Sequence, residues 1–105
     1  MKDHASIDRR SLALSRAIIK KLEEGDIEAG VARARAVNRR WRKVAGTTLH
    51  EEWKTILQRD WPNIKAALLD ASEQGQALRQ NNPFCGILTP RERWAIFREF
   101  RQHAA

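Results

Sequence analysis

Cysteine is almost absent: Cys85 is the only one in 105 residues. A single thiol forms no intramolecular disulfide and cannot build a cysteine-based zinc site within one chain. Proline is scarce at three and glycine modest at five, and no low-complexity run or internal repeat is visible. No run approaches the ~18 apolar residues of a membrane-spanning helix. The opening Met-Lys-Asp-His-Ala-Ser leads into no apolar core of signal-peptide type. The expectation is a cytoplasmic protein with no membrane insertion.

Catalytic arrangements are missing as well. The chain has no phosphate-cradling glycine loop, no Ser-His-Asp arrangement and no Walker motif. His4, His50 and His103 are scattered, with no i, i+4 partner and no metal spacing to Cys85, and read as incidental surface residues. Cys85 lies in a Pro-Phe-Cys-Gly turn without a partnering base, which predicts a buried or half-buried structural thiol. Glu51 and Glu52 are explained by helix capping, and Asp70 and Glu73 by an exposed helix face, so neither pair implies acid–base work. The chain reads as a non-enzyme needing neither metal nor cofactor.

What is present is charge and helix. The composition, 42% hydrophobic and 31% charged, fits one globular domain with a small core rich in tryptophan. The formal charge of +7 favours attraction to polyanions or acidic proteins. That excess is uneven: residues 26–46 carry six cations and two acids, whereas residues 47–80 carry four and five.

Hydrophobic periodicity predicts an all-α fold, a compact bundle of about five helices. The first covers about 7–24, on Leu14, Ile18 and Leu22 with Leu12 and Ile19, and leaves Arg9, Arg16 and Lys20 opposite. Gly25 stops it and Asp26 caps a second helix over about 27–45, with Ile27, Val31, Ala34, Trp41 and Ala45 inward. Thr48 and Glu51 form a capping-box pattern opening a third helix to about Arg59, with Leu49, Trp53, Ile56 and Leu57 inward. Asp60-Trp61-Pro62 restarts the chain into a fourth, from Pro62 to about Leu78, with Ile64, Ala67, Leu68, Ala71 and Leu78 inward. Gly75 marks where that helix ends or bends. Thr89-Pro90-Arg91-Glu92 starts a fifth over about 90–102, holding Trp94, Ile96, Phe97 and Phe100. Residues 1–6 are expected to be a disordered tail and 103–105 a frayed end of the single domain.

The richest stretch is residues 31–43, Val-Ala-Arg-Ala-Arg-Ala-Val-Asn-Arg-Arg-Trp-Arg-Lys, with six cations and no acid. At 100° per residue Arg35, Arg39 and Arg42 form one stripe and Arg33 and Arg40 another, with Lys43 between them. Ala29, Ala32 and Ala36 lie in the middle of that polar side. Solvated helices usually interleave charges, so this surface reads as a recognition face. Arginine's planar fork suits carboxylate or phosphate, and alanines between arginines let a partner approach the backbone.

A helix-turn-helix across Arg59-Asp-Trp-Pro62 is excluded by sign. Its recognition helix would carry Asp70 and Glu73 against only Lys65 and the distant Arg79, and phosphates would repel it. Nucleic acid, if bound, therefore meets the first two helices, including Arg9, Arg16 and Lys20.

The segment from Ser72 to Phe97 is dense in turn-forming residues. Pro83–Leu88 is expected to fold Phe84, Ile87 and Leu88 onto the core; the alternative is a protein-binding edge with Phe84 and Trp94 as exposed anchors. Together with Ser11-Leu-Ala-Leu and the Arg/Ala-rich helix ending at Trp41, this segment resembles short helical bacterial proteins of antitoxin-like type, over about Ser11 to Phe97. The resemblance implies a partner-binding protein and carries no catalytic residues.

The leading expectation is thus a regulator holding an acidic surface of a partner protein through Arg33, Arg35, Arg39, Arg40, Arg42 and Lys43. Substituting Arg35, Arg39 and Arg42 with alanine should then abolish binding and spare helicity. Direct nucleic-acid binding is the alternative. A homo-oligomeric module is the third reading, if Trp53, Trp61 or Trp94 is exposed and pairs between copies.

Overall fold

The first helix is anchored by the apolar stripe of its second half. In the computed structural model, which describes the backbone of residues 4–103 and the side-chain surroundings of residues 8–101, Ile18, Ile19 and Leu22 are buried and Leu14 packs beside them. This helix, α1, runs His4–Glu24. It reaches into the segment expected to be a disordered tail, of which residues 1–3 lie outside the described residues, as do 104–105 at the other end. Gly25 closes α1, its N–H meeting the Leu22 carbonyl at 3.2 Å. Asp26 then caps α2, Ile27–Ala45, by accepting the Ala29 N–H at 3.0 Å. Gly30 lets α2 lie against α1, since a Cβ there would stand 2.1 Å from a Leu22 methyl.

The remaining elements are α3 (Thr48–Ile56), α4 (Trp61–Leu68), α5 (Glu73–Gln80) and α6 (Pro90–His103). The fold is all-α, and no strand occurs among the described residues. None of these helices is long and apolar enough to cross a membrane.

Two boundaries differ from the sequence reading. The cap of α3 is Thr47, one residue before the expected Thr48. The Thr47 Oγ1 accepts the His50 N–H at 3.3 Å, and His50 Nδ1 lies 3.3 Å from the Thr47 N–H it accepts. Histidine thus closes the capping box in place of Glu51. His50 is half-buried and no incidental surface residue.

The expected fourth helix is two helices, and the break precedes Gly75. The Asp70 carboxylate accepts the Ser72 N–H at 2.9 Å, and Ser72 Oγ accepts the Gly75 N–H at 3.2 Å. Short polar side chains bonding the nearby backbone compete with helical continuation in this way. Gly75 then sits in the first turn of α5, where a Cβ would come within 1.9 Å of the Asp70 carbonyl oxygen. Ala71, expected inward, is exposed in the connection, and Ala45 is exposed at the end of α2.

The core gathers around Trp53 and Phe84, which meet edge-on with centroids 6.2 Å apart. Leu57, Ile64, Leu68, Leu78 and Leu88 join it, with Ile18, Ile19 and Leu22 of α1 and Val31 and Ala34 of α2. The Trp53 indole N–H donates to the Leu78 carbonyl at 2.7 Å, satisfying the one polar group of the largest core side chain and joining α3 to α5. Phe84 is 0% exposed. The 83–88 turn therefore folds onto the core, and Phe84 is no surface anchor.

Outer contacts hold the helices together. Lys21 of α1 donates to the Ile87 carbonyl at 2.8 Å and to Glu92 Oε1 at 2.7 Å, tying α1 to the start of α6. Glu92 also closes the expected box with Thr89, accepting its N–H at 2.7 Å while the Thr89 hydroxyl accepts that of Glu92 at 3.2 Å. Glu23 accepts from the Trp61 indole at 2.9 Å and from Lys65 at 3.0 Å, tying α1 to α4. Deepest is Arg79 of α5, whose Nε donates to Ser11 Oγ at 2.7 Å and whose terminal nitrogens reach the Asp8 carboxylate and the carbonyls of Leu68 and Asp70.

Candidate binding site

The six cations of α2 separate into two sets. Arg35 Nε donates to the Leu57 carbonyl at 2.9 Å, and Arg42 Nε donates to Asn38 Oδ1 at 3.1 Å. Asn38 is buried and passes its own Nδ2–H to the His50 carbonyl at 3.0 Å. Arg42 also lies 4.0 Å from the Glu51 carboxylate, which is free of the capping role expected for it. Arg35 and Arg42 thus brace α2 on α3, whereas Arg39 makes no such contact among the described residues.

Arg33, Arg39, Arg40 and Lys43 are exposed and, among the described residues, carry no hydrogen bond or ion pair. They border a groove of about 610 Å³ between α2 and the 83–88 turn. Ala36, Val37 and Trp41 supply its apolar part, and Cys85 and Gly86 its far wall. Trp41 is half-buried against the His50 ring, with centroids 5.7 Å apart. Gly86 lets the Arg33 guanidinium lie close, because a Cβ there would be 3.3 Å from its Nη2. Cys85 is exposed, contrary to the buried or half-buried thiol expected; Phe84 takes the core position beside it and turns the thiol outward.

No acid lines this groove. Three carboxylates outside the groove are engaged by partners of their own. The Lys21 ammonium, followed by the Thr89 N–H, holds the Glu92 carboxyl down at about 2. Glu23 is lowered by the Trp61 indole first and Lys65 second, and Asp70 by the backbone N–H of Ser72. These pairs lie at helix junctions, and none of the four ion pairs among the described residues involves a cation of the groove.

A second groove of about 670 Å³ lies across α3, α4 and α5, where Glu52, Asp70 and Arg59 share the lining and Glu52 accepts from Gln74. Its mixed charges give no preference for a ligand of one sign. Elsewhere Arg9, Arg16 and Lys20 are exposed on α1, and Trp94 is 54% exposed on α6. No group of three or more His, Cys, Asp or Glu side chains suited to a metal occurs among the described residues.

Ser15, Asn38 and Arg79 are the buried polar residues that sequence reasoning missed. Asn38 follows Ala34 by four on the inward face of α2, and that register was its available signal. Comparison with known protein families, with curated proteins and with solved structures finds no match.

Proposed function

We propose that this chain is a non-catalytic binding protein of regulatory, antitoxin-like type that holds an acidic surface of a partner protein in the groove between α2 and the 83–88 turn. The observation that carries this reading is the combination of four uncompensated cations with an apolar strip containing Trp41. Buried aromatic and arginine contacts dominate protein interfaces, and the rim charges steer an acidic partner and select against a basic one. The binding set is therefore Arg33, Arg39, Arg40 and Lys43, with Arg35 and Arg42 supporting the helix that displays them.

The test is co-purification of the untagged chain from its native host, after nuclease treatment and across a salt titration. One acidic protein should be recovered in fixed ratio, and Arg33→Ala/Arg40→Ala should lose it while the circular dichroism spectrum is unchanged. Recovery undiminished by the double variant overturns the assignment of the groove. Recovery of nucleic acid alone, released steeply by salt, overturns the choice of protein as partner.

A further inference from the structure

The last helix carries a surface that the groove does not include. Arg91, Trp94, Arg98 and Arg101 are all exposed. Their spacing of three, four and three residues puts them on one stripe of α6, about 15 Å long at the helical rise. The helix's two acids, Glu92 and Glu99, fall on another side, and Glu92 is engaged by Lys21. The Arg101 guanidinium lies over the Trp94 ring at 5.7 Å from its centroid. The indole is thus backed by a cation while 54% of Trp94 stays exposed, and along the stripe Trp94 is placed between Arg91 and Arg98.

We propose that this Arg91–Trp94–Arg98–Arg101 stripe is a contact surface for single-stranded nucleic acid, with an unpaired base stacked on Trp94 and phosphates on the flanking arginines. Charge complementarity selects an anionic partner, and the open ring selects one with flat π faces to offer. Single strands supply both along one short track, and binding through an aromatic platform with a cationic groove is their usual mode. A duplex keeps its base faces stacked inside. A lipid surface would demand more apolar area: Ile96, Phe97 and Phe100 of α6 are half-buried, and α6 packs on α1. Trp94 and Val44 are the exposed large hydrophobic side chains among the described residues, and Val44 lies on α2.

The experiment is fluorescence anisotropy of the full chain with a labelled oligothymidylate, a duplex of the same length, and unlabelled polyglutamate as competitor. The single strand should bind more tightly than the duplex. Trp94→Ala should weaken it about tenfold with Tm unchanged, and Trp94→Phe should retain most of the affinity. Arg98→Ala/Arg101→Ala should reduce the slope of log affinity against log salt by about 1.4, two phosphates at ~0.7 each. Arg33→Ala/Arg40→Ala, which tests the groove separately, should lower affinity far less than Trp94→Ala. The proposal is overturned if the duplex binds as well as the single strand, or if Trp94→Ala binds like wild type. It also falls if the groove variant carries the larger loss, or if polyglutamate displaces the oligonucleotide as readily as unlabelled oligothymidylate does.

Discussion

Replacing Arg79 with alanine should lower folding stability by about 3–4 kcal/mol, although sequence alone places this residue only at the far end of a helix. Its side chain is 1% exposed and its partner Asp8 is 12% exposed. It supplies donors to Ser11 Oγ at 2.7 Å and to the Leu68 carbonyl at 3.5 Å, and further donors to the Asp70 carbonyl and the Asp8 carboxylate. One guanidinium therefore joins α1, the end of α4 and the connection to α5. Truncating it leaves a largely desolvated carboxylate without its cation. Breaking a buried pair from one side typically costs ~3–5 kcal/mol. The lower end applies here, because Asp8 keeps some contact with water.

For a domain near this size, ~4–8 °C of Tm accompanies each kcal/mol, so the variant should melt roughly 12–30 °C earlier. Urea unfolding followed by circular dichroism is the direct assay, with a lower midpoint and an unchanged m-value. Asp8→Ala should be strongly non-additive with Arg79→Ala, and Asp8→Leu/Arg79→Met should recover much of the loss, because an apolar pair needs no charge compensation. A loss below about 1 kcal/mol for Arg79→Ala, or additive single losses, would refute the network as a determinant of the fold.

Three further outcomes follow from local geometry. Glu92, lowered from its ordinary 4.5 to about 2, and Glu23 and Asp70, lowered in the same direction, bind fewer protons folded than unfolded. Their stabilisation is therefore present above the unfolded pKa and lost as pH falls; for Glu92 the window runs from about 4.5 to about 2. Lys21→Met should make the decline of Tm across that window shallower, and an unchanged profile would contradict the Lys21–Glu92 clamp. Thr47→Ala should cost about 1 kcal/mol and Thr48→Ala much less; the reverse order in thermal melts would move the α3 cap to Thr48. Gly75→Ala should destabilise by about 1–3 kcal/mol despite alanine's better helix propensity, because its Cβ meets a backbone oxygen. A Tm at or above wild type would show that the α4–α5 connection relaxes freely.

The helices of this chain were legible because their signals are local. Asp26, Gly25 and the Thr89–Glu92 box act over one turn, and the stripe of Ile18 and Leu22 reports burial by period alone. Errors arose where two local signals competed. Ile64, Leu68, Ala71 and Leu78 keep a helical rhythm through the α4–α5 break, yet Asp70 and Ser72 interrupt it by bonding the backbone. Thr47 and Thr48 were equally good caps by residue type, and the choice fell to the ring nitrogen of His50. The long-range polar contacts had no local signature. Arg79 meets Ser11 across 68 residues and Asp8 across 71, and neither partner marks itself as buried by its type or spacing.

Contacts of the same kind decide how the basic helix can be tested. A cationic run on an amphipathic helix has flanks as well as an outer side, and side chains on the flanks can bond neighbouring elements. Arg35 and Arg42 occupy the flank toward α3, where Leu57 and His50 expose carbonyls and Asn38 carries the contact inward. Removing Arg35, Arg39 and Arg42 together would therefore loosen α2 from α3 while also deleting charge, and lost binding would not separate the two causes. Arg33 and Arg40 lie on the opposite flank beside Gly86 and Cys85, and carry no such contact among the described residues. There, as at Arg39 and Lys43, truncation removes charge without removing a brace, so the Arg33/Arg40 variant isolates recognition and the Arg35/Arg42 variant isolates the fold that presents it.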